Sequence, residues 1–191
     1  MTSTKKEQIL NTALRLFALQ GYAETTTFQI AQEAQVTEPL LYYHFKNKEE
    51  IFTKILEKIF AEYKQMILNL PSETVTVFDK IENLIRLHLN IASMRPLESR
   101  LILAHCPAKL IENGHFCSKI LQEQEQLLLD YLITCLKEGM AKKEFKKLDA
   151  VNTALVILCF INGLFRRKLF EQQHFPYEET AIVFCRNSLL L

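Results

Sequence analysis

Three threonines in a row, Thr25, Thr26 and Thr27, open the stretch of this chain best suited to chemistry. Thr37 follows ten residues on, and then come Tyr42, Tyr43, His44, Lys46 and Lys48. Hydroxyls at helix starts, beside unbonded backbone N–H groups, suit a phosphate oxygen. Tyr42 and Tyr43 can offer their hydroxyls to further phosphates, and Lys46 and Lys48 can offer charge. His44 suits either a phosphate or a base edge. Glu38 and Leu40, in the first turn of the helix that Thr37 begins, suit base edges, one polar and one apolar. The whole set is what a duplex-reading surface needs, with many contacts that position and a few that specify.

The elements that must carry these residues are short helices. Thr4 and Glu7 have capping-box spacing, which predicts a helix from Lys5 with Ile9, Leu10, Ala13, Leu14 and Phe17 on one face. Gly21 predicts its end. Thr27 is placed to cap a second helix, and Gln35-Val36 to form a tight link. Thr37 caps a third helix, with Pro39 in its first turn, where a missing N–H is harmless. Asn47 and Glu50 repeat the cap spacing for a fourth helix from Lys48 toward Asn69. Helix, turn, helix is the order that lays one helix in the major groove. Phe28, Ile30, Ala34, Val36, Leu41 and Phe45 are expected to form the small core beneath.

The run GYAETTTFQIAQEAQVTEPLLYYHFKNKEEIF resembles the DNA-binding signature of the TetR family of bacterial transcriptional repressors. The likeness rests on Gly21-Tyr22, Thr25-Thr26, Ile30-Ala31, Ala34, Val36, Leu41-Tyr42, His44-Phe45, Lys46, Lys48 and Glu49, and with the first helix it runs from Ile9 to Phe52. Gln35 and Pro39 stand where many members carry glycine, and Leu40 replaces a small or polar residue. The resemblance implies an all-α protein with a three-helix DNA-binding unit at 1–48. It implies a larger helical ligand-binding and dimerisation body at 49–191, with about nine helices in all. It further implies a homodimer through the last two helices, a palindromic double-stranded operator and a small apolar or amphipathic effector that releases it. No cofactor, catalytic residue or metal is called for.

Composition agrees with a helical, folded chain. It has 191 residues, 49% of them apolar, with four glycines and five prolines. Net charge is only +1. Near the start, Lys5, Lys6, Arg15, Lys46, Lys48 and Lys54 are offset by Glu7, Glu24, Glu33, Glu38, Glu49 and Glu50, so placement rather than total charge must serve DNA. The start is polar at once, the longest apolar run (154–161) is too short for a bilayer, and the five cysteines lack paired spacing. A reduced, cytoplasmic protein without a membrane partner is expected.

Beyond Ser72 the segments lengthen. Thr76 and Asp79 cap a helix to Met94, a short piece covers 97–105, and a helix runs from Phe116 to a stop at Gly139. KKEFKK (142–147) reads as a solvated connection. Asp149 caps an apolar helix to Phe170, and a last helix covers 177–190. The segment 154–165 is apolar nearly all round, which calls for cover on more than one side. Gly163 permits close approach there, and Ala181, Ile182, Cys185 and Leu189 give the last helix a similar face. Phe78, Leu84, His88, Ile91, Phe116, Leu128, Tyr131, Asn162 and Phe165 are the residues suited to line a ligand cavity. Two other readings stay open. His105, Cys106, His115 and Cys117 suggest a metal- or thiol-sensing repressor. A helical enzyme or an interaction module without DNA binding is the reading from another class, although no nucleophile–base pair or phosphate loop stands out.

Overall fold

A computed structural model describes residues 4–104, 116–170 and 176–190. Among the described residues there are nine helices and no strand. They are α1 Lys5–Gln20, α2 Thr27–Glu33, α3 Glu38–His44, α4 Lys48–Leu68, α5 Val77–Met94, α6 Pro96–Ala104, α7 Phe116–Ala141, α8 Ala150–Phe170 and α9 Glu178–Leu189. None of them is long and apolar enough to cross a membrane. His105, Cys106 and His115 lie outside the described residues.

The chain forms two compact units. Unit 1 takes Met1–Tyr63 and Arg95–Gln122, and unit 2 takes Lys64–Met94 and Glu123–Leu191. Unit 1 is built on local signals that act as the sequence predicts. The Thr4 hydroxyl accepts from Glu7 N while the Glu7 carboxylate accepts from Thr4 N, closing a reciprocal box at α1. Gly21, at φ 93°, ends α1 in a backbone region that favours glycine. Asn47 Oδ1 accepts from Glu50 N at 2.8 Å, and the Glu50 carboxylate accepts from Lys46 N, which anchors the start of α4.

The core of unit 1 gathers Ile9, Ala13, Leu16 and Phe17 of α1 with Ile30 and Ala31 of α2, Leu41 of α3, and Ile51, Phe52, Ile55 and Leu56 of α4. Phe17, Tyr22 and Phe52 form a trio with ring centroids 5.2–5.6 Å apart. Each such pair is worth about 0.5–1.5 kcal/mol beyond its buried area. Helix α6 packs along α1. Phe28 departs from expectation: it is 60% exposed and no part of the core. The seven residues of α2 turn their inner face through Ile30, Ala31 and Ala34, which leaves Phe28 outside.

Unit 2 buries Phe78, Ile81, Leu84, Ile85 and Leu89 of α5 with Leu132 and Leu136 of α7, Ala154, Ile157, Leu158 and Ile161 of α8, and Ile182 and Cys185 of α9. Ion pairs tie α5 to α9: Arg86 meets both Glu82 and Glu179, and Arg186 meets Glu82 at 2.6 Å. Three expectations change here. Helix α7 does not stop at Gly139 but runs two residues past it, and Gly139 is buried under the ring of Phe145. The segment 142–147 is only partly a solvated link, because Phe145 is buried, Glu144 accepts from Val77 N at 2.7 Å and Lys146 N donates to Leu189 O at 2.9 Å. Ala181, Ile182, Cys185 and Leu189 are core, and the exposed apolar residues of α9 are Val183 and Phe184.

Candidate nucleic-acid interface

The helix-turn-helix is α2, a four-residue link and α3. Helix α2 is capped one residue earlier than the sequence suggests: Thr26 Oγ1 accepts from Gln29 N at 3.1 Å. That releases the next hydroxyl, and Thr27 Oγ1 lies 2.9 Å from Tyr42 Oη, joining α2 to α3. The end of α2 is a Schellman turn. Val36 N donates to Ala31 O, Gln35 N donates to Gln32 O, and Gln35 itself takes φ 52°. A non-glycine residue holds that left-handed position at some backbone cost. Thr37 caps α3 by accepting from Leu40 N, and Pro39 sits in the first turn. Arg15 of α1 pairs with Glu33 of α2, and Leu41 and Phe45 bury the inner side of α3.

The outer side of this motif is exposed and aromatic. Tyr43 is 81% exposed, Tyr42 50%, and Thr26, Thr37, Pro39 and Lys46 are exposed as well. Thr27, Glu38, Leu40 and His44 are half-buried. Thr26, Thr27, Thr37, Tyr42, Tyr43 and Lys46 are thus all accessible on one compact motif, as a surface for a duplex requires.

Lys48, expected to meet a phosphate, is engaged within the protein. Its ammonium donates to Tyr22 O and Thr25 O, each at 2.7 Å, and lies 4.4 Å from the centroid of the Tyr22 ring. Burial pulls its pKa below the usual lysine value, and Glu24 pulls weakly the other way. Around it, Thr25 is fully buried and donates to Gly21 O at 2.8 Å, and the Gln20 amide bonds Glu24 O, Thr25 Oγ1 and Gln29 Oε1. No periodicity in the sequence marks this network, since it joins residues 23–26 positions apart. The TT pair is its only local trace.

The residues suited to a ligand cavity fall into distinct environments. His88, Phe78, Leu84 and Leu128 are buried, and Ile91, Tyr131 and Phe165 are half-buried. His88 Nδ1 donates to Leu84 O at 2.8 Å, and its ring meets Phe165 edge to face at 6.2 Å. Burial holds the imidazole neutral, with its pKa pulled down to about 4 despite that bond. Tyr131 Oη donates to Lys80 O at 3.2 Å. Asn162 is exposed on α8. The side chain of Phe116 lies outside the described residues.

Of the metal- and thiol-sensing residues, only Cys117 is described. It is fully buried, its thiol lies 3.8 Å from Thr53 Oγ1, and burial pushes its pKa up. A raised pKa disfavours the reactive thiolate. Among the described residues no group of three or more metal-ligating side chains comes together.

Comparison with known proteins places this geometry. The profile of "Bacterial regulatory proteins, tetR family" matches residues 9–55. The chain is 26% identical over 184 residues to the HTH-type transcriptional regulator YhgD of Bacillus subtilis strain 168, covering 95% of this chain and 92% of that protein. Among solved structures, a transcriptional regulator from Saccharomonospora viridis in complex with choline superposes with a TM-score of 0.83 at 18% identity, covering 97% of each chain. AibR in complex with isovaleryl coenzyme A and operator DNA gives 0.77 at 19% identity, covering 98% of each chain. At these identities the two structures speak for the fold. Signature, fold and relative agree: residues 9–55 carry the DNA-binding signature of the TetR family, and the chain is similar along nearly its whole length to a helix-turn-helix transcriptional regulator.

Proposed function

We propose that the chain is a homodimeric repressor that leaves its operator when a small apolar or amphipathic effector binds. DNA binding belongs to residues 1–48, and effector binding and dimerisation to 49–191. The observation that carries the reading is the exposed outer side of α3, where Tyr42 and Tyr43 stand open with the exposed Lys46 just past the helix end, on a helix whose inner side is packed. Thr26, Thr27, Thr37, Tyr42, Tyr43 and Lys46 hold phosphates. Glu38, Leu40 and His44, with less exposed area, reach base edges where the groove wall closes on them.

A dimer fits an apolar strip left open on the last two helices. Val156 is 68% exposed, Phe184 is 66% exposed, and Val151, Leu155, Cys159 and Val183 are exposed beside them in sequence. Phe160 and Phe184 stack at 6.0 Å. A Cβ at Gly163 would meet nothing within 4 Å, so a partner backbone can come close there. A two-fold pair also supplies two recognition helices for half-sites about 34–36 Å apart. The choline and isovaleryl coenzyme A complexes of the two fold neighbours favour a small organic effector over a metal. His88, Ile91, Leu128, Tyr131 and Phe165 are the residues proposed to meet it. Effector binding shifts the population toward a state whose recognition helices no longer match the operator.

Selection of bound sequences from fragmented genomic DNA tests this reading. A recovered palindrome, bound with steep salt dependence, is the expected result. Leu40→Ala then changes preference at one base position. Recovery of no common sequence, with binding indifferent to salt, would leave the repressor reading without support and return the helical-module reading.

A further inference from the structure

Three carbonyl oxygens of the α1–α2 connection converge on one cation. Lys48 Nζ lies 2.7 Å from Tyr22 O, 2.7 Å from Thr25 O and 3.4 Å from Ala23 O. The Tyr22 ring lies 4.4 Å away on the same ammonium. A lysine ammonium has three donors and no acceptor. Three carbonyls and a ring face therefore occupy it fully, and a phosphate would have to displace one of them. The carbonyls are themselves set in place. Gly21 takes φ 93°, Thr25 Oγ1 donates to Gly21 O, and Gln20 Nε2 holds Glu24 O at 3.3 Å and Thr25 Oγ1 at 3.2 Å. The connection then delivers Thr26, the cap of α2, and Thr27, the link to Tyr42.

We infer that Lys48 is a positioning residue, whose ammonium fills a carbonyl cage and fixes where α2 begins, and that it takes no DNA phosphate. The inference rests on the proposed DNA-binding role of Thr26 and Thr27. Without the ammonium the three carbonyl dipoles face one another uncompensated. The connection spreads, and the two threonines lose their register with the backbone of the duplex. The loss reaches DNA through geometry and not through charge.

Two variants and one small molecule test this. Lys48→Met keeps the length of the stem and removes the donors. At a temperature where it is folded, it is expected to bind the duplex at least about tenfold more weakly, with the salt slope of wild type. Removing a phosphate contact instead lowers that slope by about 0.9. Lys46→Ala, which removes an exposed cation, is expected to show that reduction. Lys48→Ala empties the cage and leaves room for n-propylammonium. Millimolar n-propylammonium is expected to raise the Tm of Lys48→Ala, or to refold it where it is unfolded. Sodium and tetramethylammonium at equal ionic strength, which have no N–H to donate, are expected to do neither. A slope reduced by about 0.9 in Lys48→Met overturns the inference, as does an unchanged affinity or a Tm of Lys48→Ala indifferent to n-propylammonium. The amine experiment uses the free protein, so it reads the cage even where wild type binds no duplex, and the two readings fail separately.

Discussion

The hydroxyls of Thr27 and Tyr42 lie 2.9 Å apart and form a side-chain bond between α2 and the exposed side of α3. One hydroxyl donates to the other, which leaves the accepting group its own proton for a phosphate oxygen. Tyr42→Phe and Thr27→Val should each weaken binding to all duplex sequences by about 1 kcal/mol, the scale of one such bond. Because the two act as one unit, the double variant should lose little more than either alone. A double-mutant cycle on specific and random duplexes reads this, and strict additivity would separate the two roles.

Acid should weaken unit 2 through His88. Its folded pKa is pulled down to about 4 from the ordinary 6.5, because burial favours the neutral ring. The unfolded chain therefore takes up a proton first as pH falls. Stability is whole above pH 6.5, declines between 6.5 and 4, and levels off below. From pH 7.5 to 5 the loss should be about 2 kcal/mol. Urea unfolding of wild type and His88→Gln over that range isolates it, since the variant should lack this slope.

Gly139 sits under an aromatic lid. A methyl added there would fall on the ring of Phe145, which is itself buried. Gly139→Ala should therefore cost about 1–3 kcal/mol despite the better helix propensity of alanine. Thermal unfolding of the variant checks this. Phe145→Leu in the same background should recover part of the loss by vacating the ring volume, and no loss in Gly139→Ala would mean that the loop gives way freely.

The open strip on α8 and α9 predicts the oligomeric state. Val156→Asp puts a charge at an exposed apolar position without touching the buried face of α8. Sedimentation should show wild type as a dimer and the variant as a monomer with unchanged helicity. A variant that remains dimeric would place the interface elsewhere.

Local chemistry carried most of the fold in the sequence. Thr4, Gly21, Thr37, Asn47 and Asp149 mark helix ends because caps act within three or four residues, and each is used as its type suggests. Phe28 misled because a helix of seven residues is too short for periodicity to separate inside from outside. Gly139 misled because a glycine can serve packing as well as a helix end. Lys48 was legible as a cation beside the helix-turn-helix but not as the centre of a loop, since its partners lie in another element.

The lattice of Glu82, Arg86, Glu179 and Arg186 on one side of α9, with Val183 and Phe184 open on another, gives the protein two answers to ionic strength. Sodium chloride screens the lattice and loosens the seat of α9 on α5. Sulfate screens it as well, yet drives apolar surfaces together. For the proposed dimer, the identity of the anion, and not only its concentration, should therefore decide whether a concentrated stock stays paired. Chloride and sulfate at matched ionic strength are two different storage conditions for this chain.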